Sequence, residues 1–335
     1  MNLYIFPEAA SHHNGYGIGV DFAYKKLKPQ KDDLVVWYTK EKDIPYLKSN
    51  DVVISKNISV FKRVKNVLRG RPSTELDVND LLFLKGQEFE HIHCDEILFF
   101  HALRKLFPKA HMTVRLHNVF SRILERKKLL NLKLDFKFNL VLHLCRKSEV
   151  EIMRDGNCRK IFISQEDREY YTSMFGVYGD SEVWPYIPII AQKPKWVTFD
   201  EKLVWFGGVD AHKTSSLVWF IENVFLPIRE VNKNIEFHLF GGGTEQFDSH
   251  ENNIHGHGYF YGDGFPIANA LYVNPDIIGG GIKMKLLDLF QEGIPFITTP
   301  FGFEGYDKML VDNKMCYVEE PECWVSKIKS IFGYE

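Results

Sequence analysis

Short β-branched and aromatic runs alternate with longer mixed segments along this chain, in two separate series. In the first series the candidate strands are Leu3–Phe6, Leu34–Tyr38, Val52–Ile54, His91–Cys94, Met112–Leu116 and Lys160–Ile163. Candidate helices Asp21–Leu27, Ile97–Leu106 and Glu166–Met174 fall between them. In the second, Leu203–Phe206, Phe237–Phe240 and Phe296–Thr299 read as strands and Ile254–Tyr261 as a further short element. Ser215–Val231 and Cys323–Ile331 read as helices. Strands alternating with helices predict a parallel sheet with helices on both faces. Between the two series, WPYIPIIAQKPK (Trp184–Lys195) holds three prolines and no helical period, which makes it a linker. The expected layout is a first domain over 1–185, a linker over 186–196 and a second domain over 197–335. A cleft between two such α/β halves is implied, with ligands at the C-terminal strand ends.

Composition narrows the class. Hydrophobic residues make up 45% and charged residues 26% of the 335 positions, as in a soluble globular protein. No run approaches the ~18 apolar residues that a membrane span needs. The opening NLYIF is too short for a signal peptide and lacks a basic lead. The five cysteines are scattered, with no CxxC or Cys/His metal spacing, so reduced thiols in a cytoplasmic protein are expected. Charge is unevenly divided. Residues 1–150 carry 26 Lys and Arg against 17 Asp and Glu, a net of +9; the remainder carries 16 against 27, a net of −11. The first half is therefore expected to face something anionic: a membrane surface, a lipid-phosphate acceptor or nucleic acid. Chance asymmetry between two domains is the plain alternative.

The segment PDIIGGGIKMKLLDLFQEGIPFITTPFGFEG, Pro275 to Gly305, carries the most chemistry. Gly279, Gly280 and Gly281 open what reads as a helix, with Lys283 and Lys285 in its first turns. Glycine lets a ligand approach the backbone, and a helix start offers unpaired N–H groups and a positive dipole end. This predicts an anion site suited to a phosphate or diphosphate, against the simpler reading of a glycine loop capping a buried helix. Asp288 lies nearly two helical turns past the last glycine and on the same face, about 10 Å along the axis. That is a workable reach from a diphosphate to a ribose.

The first half offers further groups. The loop SHHNGYGIG, Ser11 to Gly19, follows the first strand, and Asn14, Gly15 and Gly17 are candidates for contact with a sugar or acceptor. Arg115, His117 and Asn118 end a strand that should point into the cleft. In KNISVFKRVKNVLRGRP, Lys56 to Pro72, apolar Phe61, Val64 and Leu68 recur at helical spacing among Lys62, Arg63, Lys65 and Arg69. That pattern suits an interfacial helix on anionic lipid, or an ordinary amphipathic helix packed on the domain. A second basic cluster spans Arg122 to Lys128. No nucleic-acid motif accompanies the charge, so nucleic acid is not expected as a partner.

With both halves in view, the chain resembles nucleotide-sugar glycosyltransferases of the GT-B fold, most of all the retaining family 4 type. LVWFGGVDAHKTSSLVWFIENVFLPI, IEFHLFGGG and NPDIIGGGIKMKLLDLFQEGIPFITTPFGFEG look like that family's donor domain. MTVRLHNVFSRI and IFISQED look like the strand ends of its acceptor domain. The resemblance implies an α/β fold of two Rossmann-like domains facing each other across a cleft. It assigns the donor side to Gly207, Gly208, Gly280, Gly281, Ile282, Asp288 and Glu304. The family's lysine falls on Lys213, whereas its arginine falls on Gly208 and is missing. Of its two glutamates, the first position is Gly281 and the second is Asp288. Lys283 then partly replaces the lost arginine, and Lys213 and Lys283 stabilise the departing diphosphate. His117 contacts the donor sugar or its phosphate; His117, Lys213 and Lys283 are the candidate catalytic residues.

The expected function is transfer of a sugar, with retention, from a UDP- or GDP-linked donor to a lipid-linked oligosaccharide or similar glycan in surface polysaccharide (O-antigen, capsule) assembly. No cofactor and no metal are expected, because lysines and the helix dipole neutralise the phosphates and no aspartate pair suits Mg²⁺. The expected location is cytoplasmic and peripheral on the inner face of the membrane, with the oligomeric state left open. Two alternatives keep the fold: a degenerate partner subunit that binds sugar nucleotide without turnover, and a sugar-nucleotide epimerase.

Overall fold

The computed structural model describes every residue except 11–14, 41–43, 57, 118, 130–135, 210, 262–263, 278–281, 313–314 and 335. The chain divides into two compact units, Met1–Pro185 and Tyr186–Glu335.

The first unit contains strands β1 (Asn2–Phe6), β2 (Leu34–Thr39), β3 (Val52–Ser55), β4 (His91–Cys94), β5 (Met112–Leu116), β6 (Cys158–Phe162) and β7 (Ser181–Val183). Its helices are α1 (Gly15–Leu27), α2 (Val60–Leu68), α3 (Phe100–Leu106), α4 (Phe120–Leu129), α5 (Phe136–Arg154) and α6 (Gln165–Phe175). The strands form one parallel sheet in the order β3-β2-β1-β4-β5-β6-β7. Side-chain alternation splits each strand between two cores. Leu3 and Ile5 of β1, with Val36 and Tyr38 of β2, enter the larger core together with Leu103, Ile152 and Met153. Tyr4 and Phe6, with Val35 and Trp37, point to the other face and pack with Val20 and Ala23 of α1. Both faces are covered, which is why these strands read as unbroken apolar runs.

The second unit contains β8 (Lys202–Phe206), α7 (Ala211–Phe220), α8 (Leu226–Val231), β9 (Glu236–Phe240), β10 (Ile254–Gly256), β11 (Leu271–Asn274), α9 (Lys285–Glu292), β12 (Phe296–Thr298), β13 (Cys316–Val318) and α10 (Trp324–Phe332). Its parallel sheet has the order β10-β9-β8-β11-β12-β13. Leu203, Trp205, Phe237, Leu239, Leu271, Val273 and Ile297 share one core with Leu217, Phe220, Trp324 and Ile328. The segment expected as one helix over Ser215–Val231 is α7 and α8 joined by a π-helical turn, Ile221–Phe225, just ahead of Pro227. Three strands escaped the sequence reading: β7, β11 and β13, of which β11 sits in the middle of its sheet. No described helix is long and apolar enough to cross a membrane.

Glu75 and Glu149 are buried inside the first unit. Glu75 accepts from the Ser148 hydroxyl at 2.5 Å, and Glu149 accepts from the Ser121 N–H at 3.1 Å. Burial pushes both up from 4.5 to about 7. The folded chain therefore holds protons that the unfolded chain releases, so stability falls as pH rises from about 4.5 to about 7. Glu149→Gln, which stays neutral, should flatten that slope and stabilise the protein at pH 8 by roughly 2–4 kcal/mol. Urea unfolding at pH 5 and pH 8 checks this; identical pH slopes in wild type and variant would contradict it.

Candidate functional site

The strand order of the second sheet reverses between β8 and β11, and ligands of such sheets bind beyond the carboxyl ends of strands at that reversal. Three glycine turns meet there. The Gly207 N–H donates to the Phe240 carbonyl at 2.9 Å, Val209 N–H to Gly242 at 2.8 Å, and Gly241 N–H to Gly258 at 2.6 Å. Gly241 has a φ of +129°, and a Cβ there would stand 2.1 Å from the Gly207 carbonyl oxygen. The two turns can lie this close only because position 241 has no side chain.

Against these turns lies a cavity of about 480 Å³. Gly207, Gly208, Gly241 and Gly242 form its floor, and Phe206, Phe240, Tyr259, Phe260 and Phe265 its aromatic walls. Helix α9 contributes Asp288, Gln291 and Glu292, three residues at i, i+3 and i+4 and so on one face. The opposite face of α9 buries Leu286, Leu289 and Phe290, with the Phe290 ring set edge-on to Phe296 at 5.1 Å. Burial first, and the Glu292 carboxylate second, hold the Asp288 carboxyl above its usual range. The space is apolar in its walls and carries a few convergent polar groups, the makeup of a small-molecule site.

Lysines gather beside the floor. Lys213, in the first turns of α7, places its Nζ 3.8 Å from where a Cβ on Gly207 would stand. Lys285 turns inward: its Nζ lies 3.7 Å from Asp276 Oδ2 and 5.1 Å above the Trp205 ring, and among the described residues it makes no hydrogen bond. Burial lowers its pKa to about 8, Asp276 opposes the shift, and the charges of Lys213 and Lys283 add to it. The Lys283 ammonium stands 4.4 Å over the Phe301 ring. Asp276 was not singled out from the sequence, whereas Lys285 was read there as one of the two ammonium groups beside the glycines.

The helix was expected to open at the glycines. In the structure α9 begins at Lys285, after Met284, with no side-chain cap. Lys283 precedes the helix; its carbonyl accepts from Leu286 N–H at 2.9 Å and from the Tyr306 hydroxyl at 2.8 Å. Ile282, ahead of the first helical turn, is buried. Gly280 and Gly281 lie outside the described residues. Glu304 is half-buried in the turns after β12.

The first unit has its own polar centre. Its strand order reverses between β1 and β4. Asp95, just past β4, is fully buried and accepts from Arg115 Nη1 at 3.1 Å and from His117 Nε2 at 2.9 Å. Although burial alone would raise the Asp95 carboxyl, the charges of Arg115 and His117 hold it well below the ordinary carboxylate range. Arg115 is also fully buried and donates to the Gly19 carbonyl at 3.0 Å, tying the strand end to α1. Its place is thus inside the unit rather than on a sugar-facing surface, and it holds Asp95 and α1 in position. His117 is nearly buried beside it. Gly15 and Gly17 lie in the first turn of α1; Asn14 and Asn118 lie outside the described residues.

No protein-family model matches the sequence, and no curated protein is similar to it in sequence. Solved structures do match. WaaG, a glycosyltransferase involved in lipopolysaccharide biosynthesis, superposes with a TM-score of 0.61 at 11% identity, over 99% of this chain and 90% of that one. Sucrose-phosphate synthase from Thermosynechococcus elongatus superposes with a TM-score of 0.64 at 13% identity, over 99% and 90%. TarM superposes with a TM-score of 0.63 at 11% identity, over 99% and 91%. The chain has the fold of the GT-B glycosyltransferases: two Rossmann-like α/β units, with parallel sheets of seven and six strands.

Proposed function

We propose that the protein is a glycosyltransferase that moves a sugar from a UDP- or GDP-linked donor to a lipid-linked oligosaccharide or similar glycan in surface polysaccharide assembly. The observation that carries this reading is the second unit's cavity, with its aromatic walls and glycine floor beside Lys213, Lys283 and Lys285. The nucleoside sits in the cavity with its ribose towards Asp288, and the diphosphate lies on the lysine side. The leaving diphosphate gains charge in the transition state, and ammonium groups already in place lower that barrier. Reaction is with retention and without metal; the departing phosphate takes the acceptor proton. His117, oriented by Asp95, contacts the donor sugar or its phosphate. Incubating purified protein with a panel of UDP- and GDP-sugars tests the reading, since donor hydrolysis or transfer is expected with one of them. Nucleotide binding without turnover on any donor would instead favour the non-catalytic subunit.

The Asp95–His117 pair favours a second reading. His117 Nε2 lies 2.9 Å from Asp95 Oδ2 and 3.0 Å from Arg115 Nη1, so the ring is held in one orientation, and an oriented imidazole is the kind of general base that an inverting enzyme uses. The anomeric configuration of the product, read by NMR, separates the two.

Membrane contact through the first unit belongs to the same proposal, placing the enzyme in the cytoplasm at the inner face of the membrane. Helix α2 is anchored by buried Asn66, whose amide donates to the Glu75 carbonyl at 2.7 Å. Its apolar face points outward, with Phe61 79% and Leu68 83% exposed. Lys62 pairs with Asp80, and Lys65 and Arg69 pair with Asp77, which reduces the charge available to lipid. Binding should therefore rest more on the apolar face than on charge. A Phe61→Asp/Leu68→Asp variant is expected to lose at least tenfold in partitioning onto anionic vesicles while donor hydrolysis in solution is unchanged. Undiminished sedimentation with vesicles would contradict it.

A further inference from the structure

One group of ligand-type side chains lies outside the cavity, further back along the same strand. Alternation on β9 puts Glu236, His238 and Phe240 on one face of the sheet. The β10 register sets His255 opposite His238. One ligand atom from each of Glu236, His238 and His255 falls within 4.8 Å of the others, and among the described residues this is the one such group. His238 Nε2 is 2.9 Å from Glu236 Oε2, and His238 Nδ1 is 3.0 Å from His257 Nε2. The His238 and His255 rings stack at 4.8 Å.

Two imidazoles and a carboxylate are the ligand types of a zinc-class ion, which bonds them at about 2.0–2.2 Å. Two donors on one ion then stand roughly 3.3 Å apart, so metal binding requires the His255 ring to turn out of its stack on His238 and bring a nitrogen towards Glu236.

We propose that Glu236, His238 and His255 form a binding site for one divalent transition-metal ion of the zinc class, with His257 as the partner that orients His238. Without metal, His238 donates Nε2–H to Glu236 and accepts at Nδ1 from His257. With metal on Nε2, His238 carries its proton on Nδ1 and donates it to His257, the outer bond that metal-bound histidines usually make. Both rings remain neutral, each changing tautomer by exchange with solvent. The ion would fasten the three-residue edge strand β10 to β9. His257 also stacks on Phe240, a wall of the cavity, at 4.3 Å and 9°, so the metal would brace that wall rather than take part in transfer. This site is independent of the transferase reading.

The test uses the full chain, stripped with chelator and titrated with Zn²⁺ by calorimetry, with thermal unfolding followed in parallel. One equivalent is expected to bind and to raise Tm. His255→Ala and Glu236→Gln should each weaken binding at least tenfold and abolish the rise in Tm, whereas His111→Ala, in the other unit, should change neither. Co²⁺ should give visible d–d absorption in wild type that is lost in His255→Ala. Circular dichroism checks that the variants are folded. No stoichiometric uptake by wild type, or uptake equal in both site variants, would overturn the proposal.

Discussion

Lys213→Ala is expected to lower kcat for donor turnover by roughly 10²–10³-fold, the loss found when one group that stabilises developing negative charge is removed. Lys213 is the cleanest probe of the three lysines. It is partly exposed on α7, so its removal opens no cavity in the core. Lys285→Ala is less clean. It strands the buried Asp276 carboxylate, a change that costs about 3–5 kcal/mol of stability where a buried pair is broken. Lys283→Ala is expected to resemble Lys213→Ala with a smaller effect, because its ammonium is already held over Phe301. The lysine cluster also predicts a pH dependence. The Lys285 pKa near 8 means that its positive charge is lost above that pH in the free protein. Affinity for a nucleoside diphosphate should therefore be steady below pH 7.5 and fall between pH 8 and 9.5. Full turnover in both Lys213→Ala and Lys283→Ala would remove the lysines from the mechanism.

Gly241→Val is expected to abolish nucleotide binding and to destabilise the second unit by several kcal/mol. Its Cβ would meet the Gly207 carbonyl at 2.1 Å, and the φ of +129° is strained for any L side chain. Relief requires the β8 and β9 turns to separate, and those turns are the floor of the cavity. Gly208→Ala is the matched control for stability: among the described residues nothing lies within 4 Å of the added Cβ, so urea unfolding should match wild type. Calorimetric titration and urea unfolding of both variants check this. Wild-type stability and affinity in Gly241→Val would show that the turns do not need to touch.

The architecture was largely legible because both sheets are parallel and covered on both faces. Strands such as Leu34–Thr39 and Lys202–Phe206 are then unbroken apolar runs, and these stand out in sequence. The short strands did not. β11 is four residues, LYVN, and β13 three, CYV, too short for any period to show. Missing β11 hid Asp276, which lies two residues past its end and pairs with Lys285. Lys285 itself was visible in the glycine–lysine segment, but not its inward turn, since that depends on Trp205 in β8. The helix start was also misplaced: glycines and a following apolar run look like a helix opening, whereas the first helical turn begins only at Lys285. In the first unit, Arg115 and His117 were read as cleft residues from their place at a strand end. Their shared partner Asp95 comes from the neighbouring strand, so the pairing follows from the sheet order rather than from spacing.

The most direct measurement is a crystal structure of the protein with whichever of UDP or GDP binds more tightly by calorimetry. The nucleoside is expected in the cavity between Phe206 and Phe240, with a ribose hydroxyl bonded to Asp288 and the diphosphate within hydrogen-bond reach of Lys213. A nucleotide seated elsewhere on the chain, or neither nucleotide binding at millimolar concentration, would contradict a nucleotide-sugar donor site in the second unit.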